Sequence, residues 1–140
     1  MPDSVKAIKA YAFNNCGALH AVIMPNSIQS IGSQAFGNCS ALKQITIPGN
    51  VTYYKSAFYN SALETVVISE GVTKVDEKAF EKCSKLESVL IPSTVTSIGM
   101  GAFDGCSSLE LLHIPENVTD FGRNAFVNCE ALIKALENGT

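Results

Sequence analysis

Tryptophan is absent from the 140 residues, histidine occurs only as His20 and His113, and charged residues make up 16% of the chain. With two histidines and no Cys-x-x-Cys spacing, the sequence lacks the usual ligand sets for structural zinc. Lys and Arg number 10 against 13 Asp and Glu, a net charge of −3 with both signs interspersed, which excludes the basic footprint of nucleic-acid binding and a polybasic membrane patch. No stretch reaches the roughly 20 apolar residues that span a bilayer, so direct membrane insertion is not expected. Met1 opens onto Pro2-Asp3 instead of a basic and apolar leader, so no signal peptide is expected in this segment.

What the chain does have is one unit written six times. An Ala-Phe pair recurs at Ala12-Phe13, Ala35-Phe36, Ala57-Phe58, Ala79-Phe80, Ala102-Phe103 and Ala125-Phe126, with successive Phe residues 23, 22, 22, 23 and 23 positions apart. A fixed period of this size predicts an α/β solenoid of about six turns of 22 to 23 residues, each turn burying its apolar side by stacking on its neighbours. The whole chain, 1–140, reads as one such solenoid. Because Pro2-Asp3-Ser4-Val5 matches Pro25-Asn26-Ser27-Ile28, it enters its first turn midway and is expected to be a piece of a longer protein.

Within each unit the apolar positions define three parts. Segments 19–24, 42–47, 63–68, 86–91 and 109–114 alternate apolar and variable residues and predict five parallel strands on one side, with Ile45 and Ile47 or Val89 and Ile91 inward. Pro25, Pro48, Pro92 and Pro115 close the strands, where a missing N–H ends the ladder. A second pair follows, as in Ile28-x-x-Ile31, Val51-x-x-Tyr54 and Val95-x-x-Ile98, and predicts a short extended run on the next side. Gly32, Gly99 and Gly122 are expected to permit a sharp bend. The Ala-Phe-x-x-Cys-x-x-Leu spacing then predicts short helical or 3₁₀ turns with Phe and Cys inward.

Two turns depart from the pattern. In the third, Lys55-Ser56 is one residue short before Ala57, and Asn60-Ser61 reads as lacking the Cys found between Asn38 and Ser40. At the other end, residues 124–138 are expected to hold a helical cap, with a Glu130 to Lys134 pair and Asn138-Gly139 as a stop. The N-terminal side has no such cover, and the segment is expected either to fray through roughly its first ten residues or to self-associate end to end through that side.

The unit Leu-x-x-Ile-x-Ile-Pro-x-x-Val-x-x-Ile-Gly-x-x-Ala-Phe-x-x-Cys resembles the BspA-type leucine-rich repeat, a subclass found in surface antigens and adhesins of bacteria and some parasitic protists. The resemblance runs over nearly the entire chain. It implies a curved solenoid, extracellular or at the cell surface, that binds a protein or glycoconjugate ligand in adhesion or virulence. It implies no enzymatic activity and no cofactor.

The residues themselves are consistent with a non-catalytic module. Cys16, Cys39, Cys83, Cys106 and Cys129 occupy one position per turn with parallel Cβ directions, so buried free thiols are expected instead of disulfides. His20 and His113 lie four turns apart, roughly 19 Å at about 4.8 Å per turn, and cannot share a site. The stretch from Glu70 to Glu87, with its alternating Lys, reads as a solvated face. Asn-x-Ser/Thr triplets at Asn38, Asn50, Asn117 and Asn138 follow the repeat, and structural use is weighed above glycosylation.

The candidate binding surface is the outward side of the strands: Ala21 and Ile23, Gln44 and Thr46, Thr65 and Val67, Ser88 and Leu90, Leu111 and His113. An apolar stripe of Ile23, Val67, Leu90 and Leu111 beside polar neighbours suits protein contact. Strand propensity on an idle face would select similar residues, which leaves a structural spacer or assembly module as the alternative. Tyr53 and Tyr59, with neighbouring Tyr54, form a second candidate patch.

Overall fold

The computed structural model of the chain describes residues 1–137, with side chains through residue 134. Strands form where β-branched and apolar residues alternate with polar ones. The largest sheet contains β3 (Gln44–Ile47), β4 (Thr65–Ile68), β6 (Ser88–Leu90) and β8 (Leu111–Leu112), parallel and in that order. Its register runs Gln44, Thr65, Ser88, Leu111, so every turn places the same repeat position beside its predecessor. The second apolar pair ends in two-residue strands. β1 (Ala7–Ile8) pairs with β2 (Ser30–Ile31), and β5 (Lys74–Val75), β7 (Ser97–Ile98) and β9 (Asp120–Phe121) form a separate parallel ladder.

The large sheet has four strands among the described residues, one fewer than expected. Segment 19–24 runs beside β3 but forms no ladder with it. A shallow groove separates Ala21 and Ile23 from Gln44 and Thr46.

The bends are not helical. A helix needs consecutive right-handed residues, whereas φ is positive at Tyr11, Gln34, Ser56, Lys78 and Asn124, and again four residues later at Asn15, Asn38, Asn60, Lys82 and Asn128. Gly101 and Gly105 take these two positions in the fifth turn, with φ of 62° and 82°. Alternate N–H groups therefore close local turns, as from Ala35 to the Gly32 carbonyl at 3.0 Å. Those between them reach the next coil, as from Phe36 to the Ala57 carbonyl at 2.9 Å. Both sets of donors are satisfied, and the second set runs along the solenoid axis.

Gly32, Gly99 and Gly122 are not the left-handed residues of the bend. A Cβ on Gly32 would come 2.3 Å from the Ala10 nitrogen and one on Gly122 2.2 Å from the Met100 nitrogen, so this glycine column exists because successive coils approach backbone to backbone.

The core follows the columns. Phe36, Phe58, Phe80 and Phe103 are fully buried and belong to a ladder from Phe13 to Phe126, with ring centroids 5.3 to 5.6 Å apart and planes within 11°. Ser61 is buried in the register of the cysteines, 3.4 Å from the Cys83 sulfur. The third turn thus replaces Cys with Ser, and its missing residue lies after that position, before Leu63.

The expected C-terminal helix is shorter than 124–138. Residues 123–128 form turns, and α1 (Glu130–Glu137) follows after Cys129. Its Ala131 N–H donates to the Ser107 carbonyl at 3.2 Å and Leu132 packs against the core, which holds the helix on the last coil. Glu130 and Lys134 make no ion pair among the described residues. The stop expected at Asn138-Gly139 lies outside the described residues.

Candidate functional site

The alternation of β3 and β4 is exposed, buried, exposed, buried, which puts Ile45, Ile47, Val66 and Ile68 in the core and leaves Gln44, Thr46, Thr65 and Val67 on the surface. Two outward columns result. One holds Gln44, Thr65, Ser88 and Leu111, and the other Thr46, Val67 and Leu90, with His113 exposed at the same repeat position one turn on. Leu90 is 65% exposed, Leu111 70% and Val67 40%. Ile23, at 85%, stands across the groove beyond β3. A second concavity of about 540 Å³ crosses Thr65, Val67, Ser88, Leu90, Leu111 and His113 and is bordered by Glu110. The sheet therefore brings Gln44, Thr46, Thr65, Val67, Ser88, Leu90 and Leu111 onto one side, with His113 just past β8 and Ala21 and Ile23 outside the ladder across the groove.

The tyrosines do not form one patch. Tyr54 is fully buried, edge-on to Phe80, and its hydroxyl donates to the Lys74 carbonyl at 2.6 Å. Tyr53, 43% exposed, pairs with Ser30 at the second ladder, whereas half-buried Tyr59 lies in the bend, 5.6 Å from the Lys82 ammonium.

The two ends of the strands carry carboxylates that no single turn marks out. Glu64, Glu87 and Glu110 stand in register just before their strands, since Glu87 N–H donates to the Glu64 carbonyl at 2.8 Å and Glu110 N–H to the Glu87 carbonyl at 3.0 Å. Glu70 and Glu116 share a register at the opposite strand ends, and Glu70 borders a further concavity with Val67 and Leu90. Its sequence signal is Leu-Glu at the same repeat position in three successive turns, Leu63-Glu64, Leu86-Glu87 and Leu109-Glu110.

The cysteines face the core. Among the described residues all five are free, and the Cys39, Cys83, Cys106 and Cys129 thiols each donate to a Phe carbonyl of the preceding coil at 3.1 to 3.2 Å. Burial pushes the Cys83 and Cys129 thiols up to about 11, drives Cys106 further in the same direction, and raises Cys39. Thiol-specific labelling of the native protein should therefore be confined to half-exposed Cys16, the other four reacting only on unfolding. Unfolded thiols lose their proton near 9 and the folded ones near 11, so this contribution to stability is intact below pH 9 and is lost as pH rises to 11. Denaturation at stepped pH checks the sign, and a native Cys83-Cys106 bridge in mass spectrometry would refute the thiol assignment.

His20 and His113 are both exposed, and no group of metal-ligating side chains forms among the described residues. The triplet asparagines serve the stack. Asn50 and Asn117 amides donate to the Asn26 and Ser93 carbonyls at 2.7 and 2.8 Å, and Asn38 bonds Asn14 and Asn60. Asn138 lies outside the described residues. No helix among them is long and apolar enough to cross a membrane.

Residues 2–133 match, in six copies, the family described as BspA type leucine rich repeat region. Among solved structures the chain is similar to a leucine rich cell surface protein from Faecalibacterium prausnitzii, with 39% identity and a TM-score of 0.75 over 94% of this chain and 36% of that one. It is also similar to the T. pallidum leucine rich repeat protein, at 27% identity and TM-score 0.68 over 99% and 55% of the two chains. A leucine-rich repeat protein from Bacteroides ovatus gives 28% and 0.55 over 94% and 46%. The chain thus spans about a third to about half of these proteins. No curated protein matches it.

Proposed function

From the premise that the chain belongs to the BspA-type leucine-rich repeat family, we propose that it is a non-catalytic protein-binding module of a cell-surface protein, capturing its partner on the outward face of the large sheet. Leucine-rich repeat solenoids are in general protein-interaction modules, and a surface location is supported by the description of the Faecalibacterium prausnitzii relative as a cell surface protein. The observation that carries the reading is the exposed apolar strip Val67, Leu90 and Leu111 on a parallel sheet of regular register whose opposite face supplies the core. Strand propensity accounts for β-branched residues on such a face but not for leucines, and the two most exposed large apolar residues in the paired strands are leucines.

Leu90→Glu together with Leu111→Glu is expected to abolish capture of partners from a panel of extracellular-matrix and host-surface proteins. Stability should fall by less than about 1 kcal/mol, because neither side chain enters the core. Binding and chemical denaturation are measured on the same preparations. A folded double variant that binds as well as the parent would place the site elsewhere, at the bends or around Tyr53 and Tyr59.

A further inference from the structure

We infer that the partner presents a basic segment, with Lys or Arg beside apolar side chains, and that the carboxylates at the two rims of the sheet select it. This rests on the outward face being the binding surface and adds the chemistry of what binds. Glu64, Glu87 and Glu110 stack along the N-terminal ends of the strands, and Glu70 and Glu116 stand at the C-terminal ends. Glu110 borders the concavity containing Leu90 and Leu111, and Glu70 the one containing Val67 and Leu90, so the apolar strip has a carboxylate at either end. Lys43 and Lys85 are the cations on these rims. Five acids and two bases thus give the face a charge of −3, equal to that of the whole chain, while the remaining eight acids and eight bases balance.

None of these five carboxylates is in an ion pair among the described residues. The ion pairs among the described residues, Lys55 with Glu77 at 3.6 Å and Lys74 with Asp76 at 3.7 Å, lie away from the large sheet. Like charges held in register by a parallel ladder repel one another, and a polycation laid across the strands relieves that repulsion at several turns at once. The same field opposes a sulfated or sialylated glycan, so the charge of the face favours a basic protein segment over an acidic glycan.

The test uses the full chain and three probes: a short synthetic peptide alternating lysine with leucine, its glutamate-leucine counterpart, and heparin. Calorimetry at low and high salt should show binding of the lysine peptide only, weakening as salt rises. Glu87→Gln with Glu110→Gln should weaken that binding about tenfold at low salt, each exposed charge contributing a few-fold. Leu90→Asn with Leu111→Asn should weaken it too, since the strip supplies the apolar contact. No binding of the lysine peptide, equal binding of the glutamate peptide, preference for heparin, or indifference to the Gln variant would each overturn the inference. If the Asn variant still reduces whatever binding is seen, the face remains the site and the basic partner alone is wrong. If peptide binding is indifferent to the Asn variant, the face itself fails.

Discussion

Phe103→Ala is expected to cost about 3 to 5 kcal/mol of unfolding free energy, the range for emptying a large aromatic site in a core that cannot collapse to fill it. Its ring is fully buried between Phe80 and Phe126, 5.6 and 5.5 Å away, so truncation opens a gap between two coils at once. The backbone around it cannot close in, because its N–H and carbonyl are fixed by Ala125 and by the Cys129 thiol of the next coil. In a solenoid, stability is a sum of turns and nearest-neighbour interfaces, and the loss falls on the two interfaces that link the last coils to the rest. Phe126→Ala should cost less, since that ring is only partly buried. Urea denaturation of both variants beside Lys82→Ala measures this. Equal small losses at Phe103 and Lys82 would show that the ladder is not what couples the coils.

The columns were legible because a solenoid repeats its environment, so a residue type that recurs every 22 or 23 positions reports one environment six times. Inward Phe, Cys, Ile and Val, and the outward strand set, followed from that recurrence and from period-two alternation. The bends did not follow. An i, i+3 spacing of Phe and Cys fits a helical turn and also a chain of β-turns, and only backbone φ separates them. The asparagines at 15, 38, 60 and 128 were the available sign, since Asn tolerates the left-handed region. Glycine misled for a related reason. The strongest signal in the bend, at Gly32, Gly99 and Gly122, marks a close approach between coils, a contact that no single turn contains.

The site divides in the same way. Which side chains point outward is a local property and could be read turn by turn. The acidic rims belong to the stack, because Glu64, Glu87 and Glu110 become one feature only when successive coils are laid in register. Tyr54 adjoins exposed Tyr53 along the chain, but its repeat position, shared with Ile31 and Ile98, puts it in a core column.

The irregular third turn supplies the second large expected effect, at Asp76. In the second turn the Ile31 N–H donates to the Tyr53 carbonyl, and the equivalent acceptor for Tyr54 would be the carbonyl of Lys74. With one residue missing before Ala57, the Tyr54 N–H instead meets the Asp76 carboxylate at 2.8 Å, and the vacated Lys74 carbonyl accepts the Tyr54 hydroxyl. Asp76 is only 4% exposed, stands in the column that holds glycine in other turns, and also accepts the Glu77 N–H at 2.8 Å. Asp76→Ala therefore leaves a buried donor without a partner and is expected to cost about 3 kcal/mol, with Asp76→Asn losing less because one acceptor oxygen remains. A serine inserted between Lys55 and Ser56 restores the length found at Gly32-Ser33-Gln34 and returns Tyr54 toward the regular backbone bond. In the Asp76→Gly background this insertion should recover much of the lost stability, whereas in the parent it should destabilise. Thermal and urea unfolding of the four proteins closes the cycle. Additive effects, with no rescue by the insertion, would refute the exchange of a backbone bond for the carboxylate.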